Sequence, residues 1–126
     1  MSAVSEQFMQ ALHHLDEQRD PGPLVELTAE DAVLTKLGDH REATGPEGAR
    51  GFWEEYRGVF DTISTEFTHT VDGEGSSCLE WTSTATLPDG ADLSYRGVTV
   101  IDVDGEQVTG VRTYYDSAAF VGPSGG

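Results

Sequence analysis

Phe8, Ala11, Leu12 and Leu15 recur at the three- and four-residue spacing of a helix, with His13, Asp16 and Glu17 assigned to its wet side and Ser5 as its cap. Asp20-Pro21 predicts a second, short helix carrying Leu24, Val25 and Leu27, since an acid followed by proline suits a first turn. Residues 32–37 read as a strand closed by Gly38-Asp39, and a loop with His40, Arg41 and Glu42 follows. Thr44-Gly45-Pro46-Glu47 has the form of a capping box. It opens a third helix whose apolar residues are Phe52, Trp53, Tyr56, Val59 and Phe60. Gly51 and Gly58 each weaken that helix by roughly 1 kcal/mol relative to alanine.

From Ile63 the period changes to two. Four strand runs follow, at 63–71, 76–87, 92–103 and 107–116, separated by Asp72-Gly73, Asp89-Gly90 and Asp104-Gly105. Helices first and an antiparallel meander afterwards is an α+β pattern. Three helices on one face of a curved sheet leave a conical hollow. Residues 1–126 fit one domain, with soft ends at 1–4 and 121–126.

Composition narrows the partners. The net charge is −16, from 23 acidic and 7 basic residues, and Lys36 is the only lysine. Such a field repels phosphate backbones and anionic lipid surfaces, so neither nucleic acid nor membrane is expected as a partner. An acidic, lysine-poor surface suits either a salt-rich cytoplasm or a high-GC bacterial source. Cys78 is the single cysteine, so no internal disulfide forms, and no apolar run approaches the roughly 18 residues of a membrane span. The N-terminal residues lack a signal pattern, and a cytoplasmic protein is expected. No histidine or cysteine cluster has metal-ligand spacing, and no phosphate loop or serine elbow occurs, so no cofactor is expected.

The order of the segments "DPGPLVELTAEDAVL", "GPEGARGFWEEYRGVF", "LSYRGVTVIDVDGEQV" and "VRTYYDSAAF" resembles the NTF2-like superfamily, close to its SnoaL-like branch. The resemblance covers nearly the whole chain. It implies a cone-shaped α+β barrel with three N-terminal helices packed on a curved, mainly antiparallel sheet, a deep pocket between them, and usually a homodimer. The superfamily includes ketosteroid isomerase, scytalone dehydratase, limonene epoxide hydrolase and polyketide cyclases, so the fold alone does not fix a reaction.

Laid on the ketosteroid isomerase pattern, the inward positions are Glu80, Thr82, Thr84 and Thr86, then Tyr95, Thr99 and Ile101, then Val111, Thr113 and Tyr115. Leu79, Trp81, Val98 and Val100 fall outward, where a second copy of the chain is expected to cover them. The isomerase's own chemistry does not transfer. Its base matches Lys36, its protonated acid Thr99 and its tyrosine donor Leu12.

The SnoaL-like branch carries an aspartate at the end of the last strand, and Asp116 matches it. The histidine that often accompanies it is absent, with Arg112 or Tyr114 nearby. Asp116 is either a pocket base flanked by Tyr114 and Tyr115 or an exposed acid capping Ser117-Ala118-Ala119. Glu80 and Lys36 are an inward pair, structural or catalytic, or are placed in water by a bulge. Tyr95 is a donor to a ligand oxygen or a packed core residue. Trp53 and Tyr56 are core or pocket wall, and His13-His14 is a solvated pair or has His14 turned toward the cone.

Two functions remain open. One is a cofactor-independent acid-base enzyme (isomerase, cyclase, dehydratase or epoxide-opening) acting on a hydrophobic carbonyl- or epoxide-bearing compound, with Asp116, Glu80, Lys36 and Tyr95 catalytic. The other is a non-catalytic ligand-binding or dimeric scaffold.

Overall fold

The computed structural model describes residues 3–36 and 42–120. The expectations for Leu37 to Arg41 and for the C-terminal tail lie outside them. Three helices, α1 (Ala3–Gln18), α2 (Gly22–Leu27) and α3 (Gly45–Gly58), precede and interrupt a six-stranded sheet. Its strands are β1 (Thr28–Lys36), β2 (Ala43–Thr44), β3 (Thr62–Asp72), β4 (Ser76–Thr86), β5 (Asp92–Asp104) and β6 (Gln107–Tyr115), followed by a 3-10 turn at Ser117–Phe120. The order across the sheet is β2-β1-β6-β5-β4-β3. Only β1 and β6 run parallel among these neighbours. This is the expected α+β cone.

Local chemistry accounts for most boundaries. Asp20 Oδ1 accepts the N–H of Gly22 at 2.9 Å and so holds the start of α2. Gly45 begins α3 at a φ of 70°, with Glu30 O only 2.9 Å from where a Cβ would sit, so a side chain there is excluded twice over. Thr44 occupies the N-cap of α3 in extended backbone, but its side chain makes no capping hydrogen bond, so the capping box is not formed. Ser5 does not cap α1 either. The helix starts at Ala3, and Ser5 lies inside it, fully buried.

The apolar stripe of α1 and the residues Ala49 and Trp53 of α3 pack on β1, β4, β5 and β6, where Leu15, Leu24, Leu34, Leu79 and Ile101 lose almost all contact with water. Each such residue stabilises the fold by roughly 1.5–3 kcal/mol. A second cluster joins Phe60, Ile63, Trp81, Ala85, Leu93 and Tyr95 at the wide end of the cone.

The face assignment of β4 is corrected. Leu79 and Trp81 point inward, 0% and 5% exposed, while Glu80 and Thr84 are exposed and Thr82 and Thr86 half-buried on the outer face. The register gives the reason. Tyr95 lies opposite Ser83, Gly97 opposite Trp81 and Thr99 opposite Leu79, and directly opposed residues share a face. With Tyr95 and Thr99 inward as expected, β4 must turn its odd-numbered residues in. A one-residue slip exchanges the two faces completely. The five residues between the paired Thr86 and Asp92 set this register. Gly97 completes it, because a Cβ there would fall 2.7 Å from Trp81 Cζ2.

The outer face therefore lacks two of the four apolar residues expected to meet a second copy. Val98 and Val100 remain on it, half-buried, beside Tyr114, which is 51% exposed. Arg112 and Asp102 form a two-pronged ion pair on that face, at 2.6 and 3.2 Å, which holds the Asp102 carboxyl below its usual range.

Candidate functional site

Between the helices and the sheet lies a cavity of about 220 Å³. It is smaller than the roughly 300–1,000 Å³ typical of drug-sized ligands. One wall comes from α3 and the turn after it, where Phe52, Trp53, Tyr56, Val59 and Phe60 face inward. The sheet supplies Thr65, Trp81, Ser83, Tyr95, Thr99, Thr113 and Tyr115, while Leu12 and Lys36 complete the lining with Phe120 of the terminal turn. The aromatic rings brace one another edge to face. Tyr95 meets Trp81 at 5.3 Å and 86°, Tyr115 at 5.9 Å and 76°, and Phe120 at 4.9 Å and 70°. Trp53 and Tyr56 stand at 5.9 Å and 89°. Such contacts fix ring orientation as well as burying area.

Two threads of hydroxyls cross this apolar box. Thr65 Oγ1 and Ser83 Oγ are 2.8 Å apart on β3 and β4. Trp81 Nε1 donates to Thr99 Oγ1 at 2.9 Å, and Thr99 Oγ1 lies 3.0 Å from Thr113 Oγ1.

The most unusual group is Asp16, expected on the wet side of α1 and found 3% exposed. Among the described residues, neither of its carboxylate oxygens has a hydrogen-bond partner of good geometry. Desolvation pushes its pKa up from 3.8 to about 6; the Thr65 hydroxyl and the charge of Arg57 pull the other way but do not prevail. Asp16 is not itself part of the cavity lining. Its charge is felt by Tyr56 and Tyr95, which are, and its strongest stabilising neighbour Thr65 is another lining residue. Burial first, and then neighbouring negative charge, raises both tyrosines, so they stand as neutral donors.

Arg57 is buried beside it, yet its guanidinium is taken up by backbone carbonyls. Nε donates to Asp16 O at 3.1 Å, Nη1 to Phe60 O at 2.9 Å and Nη2 to Asp61 O at 3.4 Å. The cation thus ties α1 to the end of α3 without capping the carboxylate. Sequence reading singled out neither residue. The signal was present, because Asp16 follows Leu12 by four residues and Arg57 follows Trp53 by four, each continuing a buried stripe.

The expected site residues divide cleanly. Lys36, Trp53, Tyr56, Tyr95, Thr99, Thr113 and Tyr115 reach the cavity. Ile101 and Val111 point inward but are packed in the core beneath it. Glu80, Thr82 and Thr84 are on the opposite side of the sheet. Glu80 and Lys36 therefore do not meet across the hollow, and Lys36 Nζ instead approaches Glu55 Oε1 at 3.9 Å. Asp116 is exposed, and its Oδ1 accepts the N–H of Ala118 at 3.1 Å, which makes it the cap of the terminal turn. His13 donates from Nε2 to Thr65 O at 3.0 Å over the ring of Phe67, and His14 pairs with Asp20 at 3.0 Å.

Residues 6–111 match the family described as the SnoaL-like domain. No curated protein matches the sequence. Among solved structures the chain is similar to an NTF2-like protein from Anabaena variabilis, with a TM-score of 0.84 and 18% identity over 92% of this chain and 89% of that one. It is similar to an LEH-like epoxide hydrolase of M. tuberculosis, at 0.71 and 16% over 92% and 82%. It is also similar to TerC co-crystallised with polyporic acid, at 0.80 and 14% over 94% and 95%. At these identities the likeness is one of fold.

Proposed function

Since the chain belongs to the SnoaL-like family, we propose that its cavity takes a small, mostly apolar molecule bearing a carbonyl or epoxide oxygen, and that Asp16 drives acid-base chemistry on it without a cofactor. The observation that carries this reading is an unpaired, buried carboxylic acid beside an aromatic box whose polar groups, among the described residues, are hydroxyls, indole N–H groups and one ammonium. Structural relatives that include an epoxide hydrolase and a protein crystallised with polyporic acid support the substrate class.

The chemistry follows from the placement. A carboxyl with a pKa of about 6 exchanges its proton readily near neutral pH, where general acids and bases work best. Asp16 acts through an intervening hydroxyl, with Thr65 its strongest stabilising neighbour. It draws a proton from the substrate side and returns it after rearrangement or ring opening. Tyr56 and Tyr95 donate hydrogen bonds to oxygen as negative charge develops there. Asp116 and Glu80 take no part.

The test is turnover on a panel of cyclic ketones and epoxides that fit the cavity. Asp16→Asn is expected to lower kcat by about 100-fold or more. It should also remove the limb of the pH profile near 6, while Asp116→Asn and Glu80→Gln leave both unchanged. One observation favours a second reading, binding without turnover: among the described residues, no carboxylate lines the cavity directly. Ligand binding with kcat and its pH profile unmoved in Asp16→Asn would select that reading instead.

A further inference from the structure

The thread through Trp81, Thr99 and Thr113 has a direction. By distance alone either threonine hydroxyl can donate to the other. The indole N–H is only a donor, so it occupies one lone pair of Thr99 Oγ1. Thr99 is 3% exposed, and its own O–H needs an acceptor. Thr113 Oγ1, at 3.0 Å, is the acceptor present. In the reverse direction the spare proton sits on Thr99, which also borders the cavity but is 3% exposed, whereas Thr113 is half-buried and gives that proton the more open face. The protons therefore run from Trp81 to Thr99 to Thr113, and the Thr113 O–H is left over.

Thr113 is half-buried and lines the cavity, so that leftover proton has the cavity to donate to. Lys36 is its register partner on the neighbouring strand and lines the cavity too. The β1–β6 side thus offers a hydroxyl fixed as a donor and an ammonium. Asp16 and the Thr65–Ser83 pair belong to α1, β3 and β4.

From this geometry we infer that Thr113 is the specificity-determining donor of the cavity. It grips an acceptor oxygen on the ligand and rejects the analogue that lacks one. A fixed donor that loses its acceptor is left unpaired in an apolar box, which is the arrangement that discriminates strongly between near-isosteres. The inference rests on the cavity being a ligand site, as proposed above, but not on turnover.

The probes are cyclohexanone and methylenecyclohexane, which differ in the acceptor oxygen. Their dissociation constants are measured by ligand-detected NMR on the wild type, Thr113→Val and Thr113→Ser. The wild type is expected to prefer the ketone by about five- to tenfold. Thr113→Val should abolish the preference and leave methylenecyclohexane within about twofold, and Thr113→Ser should restore it. Because each ratio is internal to one variant, a loss of stability does not imitate the result. A preference that survives Thr113→Val, or equal binding of both probes to the wild type, overturns the donor assignment alone. Failure of the wild type to bind either probe overturns the cavity as a ligand site as well.

Discussion

Replacing Asp16 with asparagine should stabilise the fold at pH 7.5 and leave it nearly unchanged at pH 4. The folded-state pKa of Asp16, about 6, lies above its unfolded value of 3.8. Between these values the folded chain holds one more proton than the unfolded chain, so stability falls as pH rises. The favourable contribution of the protonated acid is complete below 3.8 and gone above about 6. The difference of about 2 pH units corresponds to roughly 3 kcal/mol at 1.36 kcal/mol each. The residue is 3% exposed, so solvent screening does little to reduce this figure. Asparagine removes the buried charge but brings an amide that also wants partners, so a gain of about 1–3 kcal/mol is expected at pH 7.5. For a chain of this length that is a rise in Tm of roughly 3–10 °C. Urea titrations of both proteins from pH 4 to 8 isolate the effect, because titrating groups that are not coupled to Asp16 cancel in the difference. A wild-type minus variant difference that stays flat across this range would show that Asp16 is not a strained acid.

Gly97→Ala drives a methyl group into the backbone carbonyl oxygen of Tyr114 and places it 2.7 Å from Trp81 Cζ2, so both the β6 backbone and the indole must move. A loss of about 1–3 kcal/mol in chemical denaturation is expected, with a shifted Trp81 emission spectrum. Phe120→Ala strips the ring that stands against Tyr95 at 4.9 Å and Tyr115 at 5.7 Å at the edge of the cavity. Being 41% exposed, it should cost less than about 1.5 kcal/mol of stability while speeding ligand release measurably in stopped flow.

Much of the cone is legible in the chain. The two-residue period from Ile63 onward gives four strands close to those observed, and the stripes of α1 and α3 mark the buried helix faces. On β5 and β6 the inward residues Tyr95, Thr99, Val111 and Thr113 are those expected. On β4 the faces are the reverse of those that the ketosteroid isomerase pattern implies, because that pattern does not carry the β4–β5 register of this chain. Opposed residues must share a face, so Tyr95 and Thr99 were already incompatible with an inward Thr82. The apolar weight of Leu79 and Trp81 pointed the same way.

Asp16 was misplaced for a different reason. A charge outranks helical period only where water is the alternative to burial. Here the stripe from Leu12 carries the carboxylate into the cone at a cost, and a rule broken at a cost is what a functional group in a fold tends to look like. Asp116 shows the converse. Its place at the end of the last strand fits a site, but the backbone after it turns at once into Ser117–Phe120, and the carboxylate caps that turn.

The central claim is that Asp16 is a buried, unpaired acid tuned toward neutrality, and the Cγ chemical shift of Asp16 in a carbon-13 NMR pH titration measures it directly. A midpoint near 6 is predicted. A midpoint near 3.8, the value of a carboxylate in water, would contradict it.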